Sequence, residues 1–158
     1  MATLSVPINV VAGKDCYAYG NTGTHGSPTW VETGNIQDVK LGDAITLYEL
    51  KLRKNRPFST NVPTLLGWNP SFKIADIASD PLMLALVVAQ NAGSCIDMLF
   101  LDGLVVPASG NTSQGMRADW TVEKMDRSES GDEAVMYDVS LKPGQTANVP
   151  AWFSVTTA

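Results

Sequence analysis

Histidine is nearly absent from this 158-residue chain, which contains only His25. A catalytic triad or a histidine metal site would have to use this residue, yet no nucleophile elbow lies near it and no second ligand follows at a useful spacing. We therefore expect no enzyme activity, no bound metal and no cofactor. We interpret His25 as a solvated residue of the glycine-rich stretch from Gly13 to Pro28, which predicts a loop.

Cysteine is also scarce, and Cys16 and Cys95 lie far apart without a paired-thiol spacing. This pattern is typical of reduced, partly buried thiols in an intracellular product. No basic segment followed by an apolar run opens the chain, so we expect no signal peptide. The run of eight apolar residues from Leu82 to Ala89 is far shorter than the roughly 20 that a membrane helix needs, so no membrane partner is expected.

Charged residues make up only 17% of the chain, against roughly 25% in typical soluble domains. The net charge of −5 argues against sequence-independent binding of nucleic acid, which depends on Lys and Arg neutralising phosphates. The charges are also separated along the chain. Seven of the sixteen acids lie between Asp119 and Asp138, whereas four basic residues share one short segment: Lys51, Arg53, Lys54 and Arg56. Two interpretations stay open, namely complementary patches on neighbouring copies, or a solvated hairpin and a solvated loop.

Part of the acidic segment could in principle bind calcium, because that cation takes several oxygen ligands at once. The acids concerned are Asp126, Glu129, Asp132 and Glu133. Their spacing lacks the D-x-D-x-D-G pattern of a calcium loop, so we interpret them as the solvated tip of a hairpin.

The stretch from Ser79 to Gly103 predicts the one helix of the chain. Asp80 can cap the first free N–H groups, and Pro81 suits the first helical position. Gly93 is well placed for the left-handed residue that commonly closes a helix. We therefore predict a helix over about 80–92. It is apolar on nearly every side and should be covered all round.

The remaining segments are mainly β in character. Their alternation predicts six to eight strands, and the clearest candidates are Leu4–Val11, Ile45–Arg53, Thr64–Ile77, Ile96–Leu101, Met116–Glu123, Val135–Leu141 and Val149–Thr156. Lys54–Pro63 and Ala108–Gly115 are predicted loops. One helix among many strands favours an antiparallel β-sandwich or rolled barrel with a single packed helix. We expect residues 1–29 to form an N-terminal arm and a glycine-rich loop, and 30–158 to form one domain.

The tryptophans divide into core and surface candidates. Trp68 and Trp120 fall on the apolar parity of their strands, which predicts core packing. Trp152 falls on the polar face of its strand, so it is a candidate contact on a subunit interface. If several tryptophans lined one exposed groove, they could instead stack on sugar rings.

Several segments, in this order, resemble the tail tube proteins of long-tailed bacteriophages. They are WVETGNIQDVKLGDAITLYELKLRKNR, then DPLMLALVVAQNAG, then LFLDGLVV, and finally MRADWTVEKMDRSESGDEAVMYDVSLKPG. The resemblance covers about Trp30 to Thr156. It implies a structural virion protein, made in the host cytoplasm, whose subunits close into rings that are usually hexameric. The rings stack into a hollow tube, joined to other tail proteins, through which DNA passes as non-specific cargo.

The resemblance also implies particular contacts. The loop between two long strands would reach the next ring, using Lys51, Arg53, Lys54, Arg56, Phe58 and Val62. The helix would divide its apolar residues between core and subunit interface; those residues are Leu82, Met83, Leu86 and Val87. An acidic channel would repel DNA phosphates and let the polymer slide. The alternative function is a β-sandwich binding module, such as a capsid decoration protein or a carbohydrate-binding domain.

Overall fold

The computed structural model describes residues 16–50 and 60–157, which form eight β-strands and one α-helix. The predicted mainly β, antiparallel fold with a single helix is confirmed. In chain order the elements are β1 (Tyr17–Asn21), β2 (Trp30–Glu32), β3 (Ile36–Leu50), β4 (Thr60–Ala75), α1 (Pro81–Ala92), β5 (Cys95–Leu101), β6 (Thr112–Ser128), β7 (Met136–Pro143) and β8 (Ala151–Thr156). The predicted strand Leu4–Val11 lies outside the described residues.

The chain divides into two compact units. Unit 1 contains the described residues up to Gly34, then Asp97–Ala118, and those from Asn148 onward. Unit 2 contains the described residues of Asn35–Ile96, together with Asp119–Ala147. Strands β5 and β6 each contribute residues to both units. The division into a 1–29 arm and a 30–158 domain stays a prediction.

Unit 2 is built on an antiparallel sheet with the strand order β6–β7–β4–β3. β3 and β4 form a long hairpin whose last described pair is Leu50 opposite Thr60. Trp68 and Trp120 are buried in this unit with ring centroids 6.5 Å apart, as their alternation predicts. The other buried apolar side chains of these strands are Phe72, Ile74, Val122, Val139 and Leu141.

Helix α1 begins and ends where the local sequence predicts. The backbone N–H of Leu82 donates to the Asp80 carboxylate at 2.9 Å, and Gly93 closes the helix in the left-handed region with φ of 64°. The buried side chains are Leu82, Met83, Leu86 and Ala89. Complete covering was expected, but Leu84 and Val88 are exposed. The helix therefore presents one buried face and a partly apolar outer face.

Unit 1 has a smaller strand arrangement, in which β2 pairs with β1, β1 with β5, β5 lies beside β6, and β6 pairs with β8. Its core contains Tyr19, Leu99 and Leu101. The strand β1 lies where the glycine-rich composition predicts a loop, so that prediction is wrong for Tyr17–Asn21. Pairing with β5, for example Tyr17 opposite Leu101, decides this strand rather than its local composition.

Two other predicted loops are partly strand. Thr60–Pro63 belongs to β4, and Thr112–Gly115 belongs to β6. β4 accepts two prolines, which have no N–H to donate, because each lies where the ladder is interrupted. Pro63 lies at a register shift with β3. Pro70 lies one residue before Ser71, where the pairing of β4 with β7 begins.

Candidate subunit interface

β3 is a long strand with one partner, β4, among the residues that the structure describes. Its other side has no strand partner within residues 16–50 and 60–157, and strand edges of this kind are usually blunted or covered in natural proteins. Apolar side chains add to the exposure, because Ile45, Leu47 and Tyr48 are 57%, 56% and 61% exposed. A long, apolar edge of this kind is a template for pairing with another chain.

Leu41, Ile45 and Leu47 of β3 continue the core side of the unit 2 sheet, whereas Tyr48 lies on the other face. Leu41 lies opposite the buried Pro70, and the register puts Ile45 on the same face as Leu41. The core face therefore reaches the sheet edge without being covered there. A covering element from another copy would bury this apolar surface.

The opposite face of the sheet is polar and rich in ion pairs. Lys124 contacts Asp126 at 2.5 Å, Lys73 contacts Asp38 at 3.5 Å, and Lys142 pairs with Glu123. The hydrogen bond from Lys124 to Asp126, followed by the negative charge of that carboxylate, raises the pKa of Lys124 above its ordinary value. These pairs are solvent-exposed, so they organise charge more than they stabilise the fold.

A β-bulge shapes this polar face near one end of β3. The register with β4 shifts between Gln37 and Lys40, and Asp38 adopts φ of 53°. That conformation is uncommon for residues other than glycine, although Asp accepts it better than most. A groove of about 560 Å³ opens there, lined in part by Asp38, Lys40, Lys73 and Asp138. The groove therefore lies beside the bulge, and charged side chains of three strands line it.

The predicted contact residues of the segment between β3 and β4 fall into two groups. Lys51, Arg53, Lys54, Arg56 and Phe58 lie outside the described residues. The backbone of Val62 belongs to β4, where it lies opposite Tyr48. Thus the contacts expected of this loop stay predictions.

The predicted helix contacts and Trp152 differ in how much of each side chain is exposed to solvent and so available to another subunit. Leu82, Met83 and Leu86 are buried within the chain, and Val87 is half-buried, so these residues have little surface left for another subunit. Trp152 is 57% exposed, and its ring N–H lies 3.4 Å from the Gln114 side-chain oxygen. Its interface role stays a prediction, while its exposure agrees with the polar parity of β8.

His25 belongs to a polar cluster in unit 1 rather than to a solvated loop. Its Nδ1 lies 3.5 Å from Asp97, and its carbonyl oxygen accepts a hydrogen bond from Arg117 at 2.8 Å. Arg117 pairs with Asp97 at 2.8 Å and covers the ring of Trp30 at 4.9 Å. Asn21 also donates to Asp97 at 2.8 Å. The cluster ties the turn after β1 to strands β5 and β6, which is a structural role.

The acidic tip of the β6–β7 hairpin is exposed. Asp126 pairs with Lys124, and Glu129 pairs with Arg127 at 2.9 Å. Asp132 and Glu133 are also exposed. These contacts agree with a solvated hairpin whose carboxylates face lysine and arginine.

The two cysteines differ in their exposure to solvent. Cys16 is exposed and Cys95 is half-buried, and neither forms a disulfide. The prediction of a partly buried thiol is therefore wrong for Cys16. Within the part of the chain that the structure describes, no helix is long and apolar enough to cross a membrane.

Sequence reasoning missed the open edge of β3. Alternation reveals that Ile45, Leu47 and Tyr48 belong to a strand, but it does not reveal whether that strand has one neighbour or two. A usable signal was the run of large apolar residues on both parities of the strand near Leu47 and Tyr48. A half-covered strand with a purely solvated outer face would alternate more strictly.

The fold is that of phage tail tube proteins, as the resemblance implied. The chain is similar to the solved tail of an empty gene transfer agent particle with C6 symmetry, at a TM-score of 0.66 and 10% identity, covering 90% of this chain and 98% of that one. It is similar to the SPP1 tail tube at a TM-score of 0.67 and 14% identity, covering 93% and 81%.

A third similar structure is the six-fold symmetrised baseplate of the anti-feeding prophage. Its TM-score is 0.59 at 7% identity, covering 99% of this chain and 98% of that chain. No protein-family model matches the chain, and no curated protein matches it. At these identities, the likeness establishes the fold.

Proposed function

We propose that this chain is a non-enzymatic virion protein that self-assembles into rings, which stack into a hollow tail tube for genome passage. The observation that carries the proposal is the open edge of β3 in the unit 2 sheet. The similarity of the fold to proteins of assembled tails supports the same function.

The sheet of unit 2 has a geometry suited to head-to-tail joining. Neighbouring strands in the order β6–β7–β4–β3 are all antiparallel, so β3 runs opposite to β6. Rotation about a tube axis preserves strand direction, and so β3 of one copy would meet β6 of the next copy in antiparallel fashion. Residues 124–128 of β6 have β7 as their described partner, which leaves a side for this contact. Such a heterologous contact closes into a ring when its rotation allows.

Six copies are the expected number, by analogy with the C6 symmetry of the gene transfer agent tail. With four strands from each copy, the shared barrel would contain about 24 strands, more than the 16–18 with which porins enclose an aqueous channel. Closure would also remove the exposed edge from solvent. The polar face would line the channel, because the apolar face is covered by the rest of the subunit.

Stacking of rings would use the segment that joins β3 to β4. The proposed contacts are Lys51, Arg53, Lys54, Arg56, Phe58 and Val62, together with other tail proteins at the tube ends. Deletion of residues 54–62 tests this contact: ring formation should persist while tube elongation is lost. Normal elongation by the deletion variant would remove the segment from the mechanism.

The ring contact is tested by adding charge to the open edge. Ile45→Lys with Leu47→Lys should abolish rings and tubes in negative-stain micrographs, since lysines on an edge strand discourage pairing. The monomer should still fold, because both side chains are more than half exposed. Val106→Lys with Val149→Lys, at residues 72% and 82% exposed in unit 1, adds the same charge and is the matched control, which should assemble. Equal loss of assembly in both variants would contradict a specific role for β3.

The second candidate function is a binding module in which Trp152 makes the contact. Its exposure is the observation that favours this function. The two candidates differ in a simple assay: a monomer that persists at high concentration and binds a glycan saturably, with loss of binding in Trp152→Ala, would favour the module.

A further inference from the structure

The polar face of the unit 2 sheet carries balanced charge, although the whole chain has a net charge of −5. The strand registers, the ion pairs and the groove lining put four lysines and four exposed carboxylates on this face: Lys40, Lys73, Lys124, Lys142, Asp38, Glu123, Asp126 and Asp138. Asp119 has the same parity on β6 but is buried. Four positive and four negative charges cancel. The acidic excess of the chain therefore lies elsewhere.

Three of these lysines contact a carboxylate directly. Lys124 contacts Asp126 on its own strand, Lys142 pairs with Glu123 on the neighbouring strand, and Lys73 contacts Asp38 on β3. Asp138 lies opposite both Lys73 and Asp126 in the strand register. The lysines lie on all four strands and the carboxylates on β3, β6 and β7, so positive and negative charges are intermixed rather than gathered in separate patches.

Paired lysines differ from free ones in what they offer to a polyanion. A lysine that neutralises a DNA phosphate releases counterions, and each such contact adds to affinity and to its salt dependence. When the lysine ammonium group is already in an ion pair with a carboxylate, a DNA phosphate must compete with that carboxylate. Little net attraction between the lysine and the DNA then remains. A charge-balanced face therefore neither holds DNA nor repels it strongly.

We infer that the carboxylates Asp38, Glu123 and Asp126 hold three lysines of the polar face in ion pairs, so that duplex DNA slides along this face without binding. This inference rests on the proposed tube, whose channel this face would line. It replaces the expectation of a uniformly acidic channel with a specific arrangement of pairs.

Removal of the carboxylates tests the inference. Asp38→Asn, Glu123→Gln and Asp126→Asn together remove the three paired carboxylates and change the net charge of the chain from −5 to −2. The matched control, which makes the same change away from this face, combines Glu32→Gln, Asp132→Asn and Glu133→Gln. Fluorescence anisotropy with a short labelled duplex measures binding by the unassembled proteins at several salt concentrations.

The face variant should bind DNA, and its affinity should fall on the order of 100-fold between about 50 and 200 mM salt if all four lysines meet phosphates. The control should bind no better than the unaltered protein. Adding Lys124→Gln and Lys142→Gln to the face variant should remove most of the binding. Equal binding by the face variant and its control would overturn the inference, because net charge alone would then explain it.

Assembled tubes test the orientation of the face. Tubes of the face variant should retain short linear duplexes, which can enter the channel, but not closed circular plasmid, which cannot. Plasmid bound equally well by the tubes and by the unassembled variant would overturn the inward orientation. Tube formation is scored separately by electron microscopy, so a failure to assemble would contradict the proposed function, while the charge-pair result in the unassembled protein would stand.

Discussion

The Arg117–Asp97 pair of unit 1 offers the sharpest stability prediction. Their side chains are only 14% and 12% exposed. The guanidinium donates twice to the carboxylate, from Nη2 to Oδ2 at 2.8 Å and from Nε to Oδ1 at 3.2 Å. Asp97 also accepts from the Asn21 amide at 2.8 Å. Removal of either partner would leave the other charge largely buried and without its counterion.

The expected magnitude follows from that burial. Breaking a buried ion pair by removing one partner costs about 3–5 kcal/mol, whereas replacing both partners by apolar residues is often nearly neutral. The small remaining exposure favours the lower end, so Asp97→Asn and Arg117→Met should each destabilise by about 3 kcal/mol. The double variant should lose less than the sum, with a coupling of about 0.5–3 kcal/mol.

Urea unfolding of the unassembled protein, followed by tryptophan fluorescence, measures these free energies. Hydrogen exchange supplies a local readout, because the turn between Asn21 and Thr29 is held by this cluster. The Thr22 N–H, which donates to the Thr29 carbonyl at 2.9 Å, should exchange faster in both single variants. Single variants within about 0.5 kcal/mol of the unaltered protein, the usual range for surface substitutions, would refute the reasoning.

Three further predictions concern the helix cap, a close backbone contact and a buried phenol. Asp80→Ala should destabilise by about 1 kcal/mol in urea unfolding, because the Leu82 N–H loses its acceptor, while Asp80→Asn should lose much less. Gly115→Ala should give little folded protein, since the added Cβ would lie 1.7 Å from the Phe100 carbonyl oxygen; folding like that of the unaltered chain would contradict this contact. Burial raises the pKa of Tyr19 above its ordinary 10.0, so the folded state favours the neutral phenol. This contribution to the free energy of unfolding is lost as pH rises through the raised pKa. In thermal unfolding at alkaline pH, Tyr19→Phe should therefore lose less stability than the unaltered chain.

Local signals in the sequence predict the helix and the hairpins well. Asp80, Pro81 and Gly93 act within a few residues of the backbone they cap, so the bounds of α1 follow from the sequence alone. The β6–β7 hairpin is predicted for a similar reason, because alternation on both strands is clear and their connection is short. These features need no knowledge of distant contacts.

The missed features all depend on contacts between distant segments. β1 is a strand because it pairs with β5, about 80 residues later, and its own composition favours a loop. The cluster around Asp97 joins residues from three segments, so no spacing in the sequence reveals it. The edge position of β3 depends on sheet order, which alternation alone does not encode.

Electron cryomicroscopy of tubes assembled from the unaltered chain tests the central proposal most directly. A helical reconstruction should resolve β3 of each copy hydrogen-bonded in antiparallel fashion to β6 of the next copy, with Lys73 and Lys124 facing the tube axis. A chain that stays monomeric at high concentration, even with tail-tip nucleation supplied, would contradict the proposal. Tubes in which the free side of β3 faces solvent would contradict the ring contact.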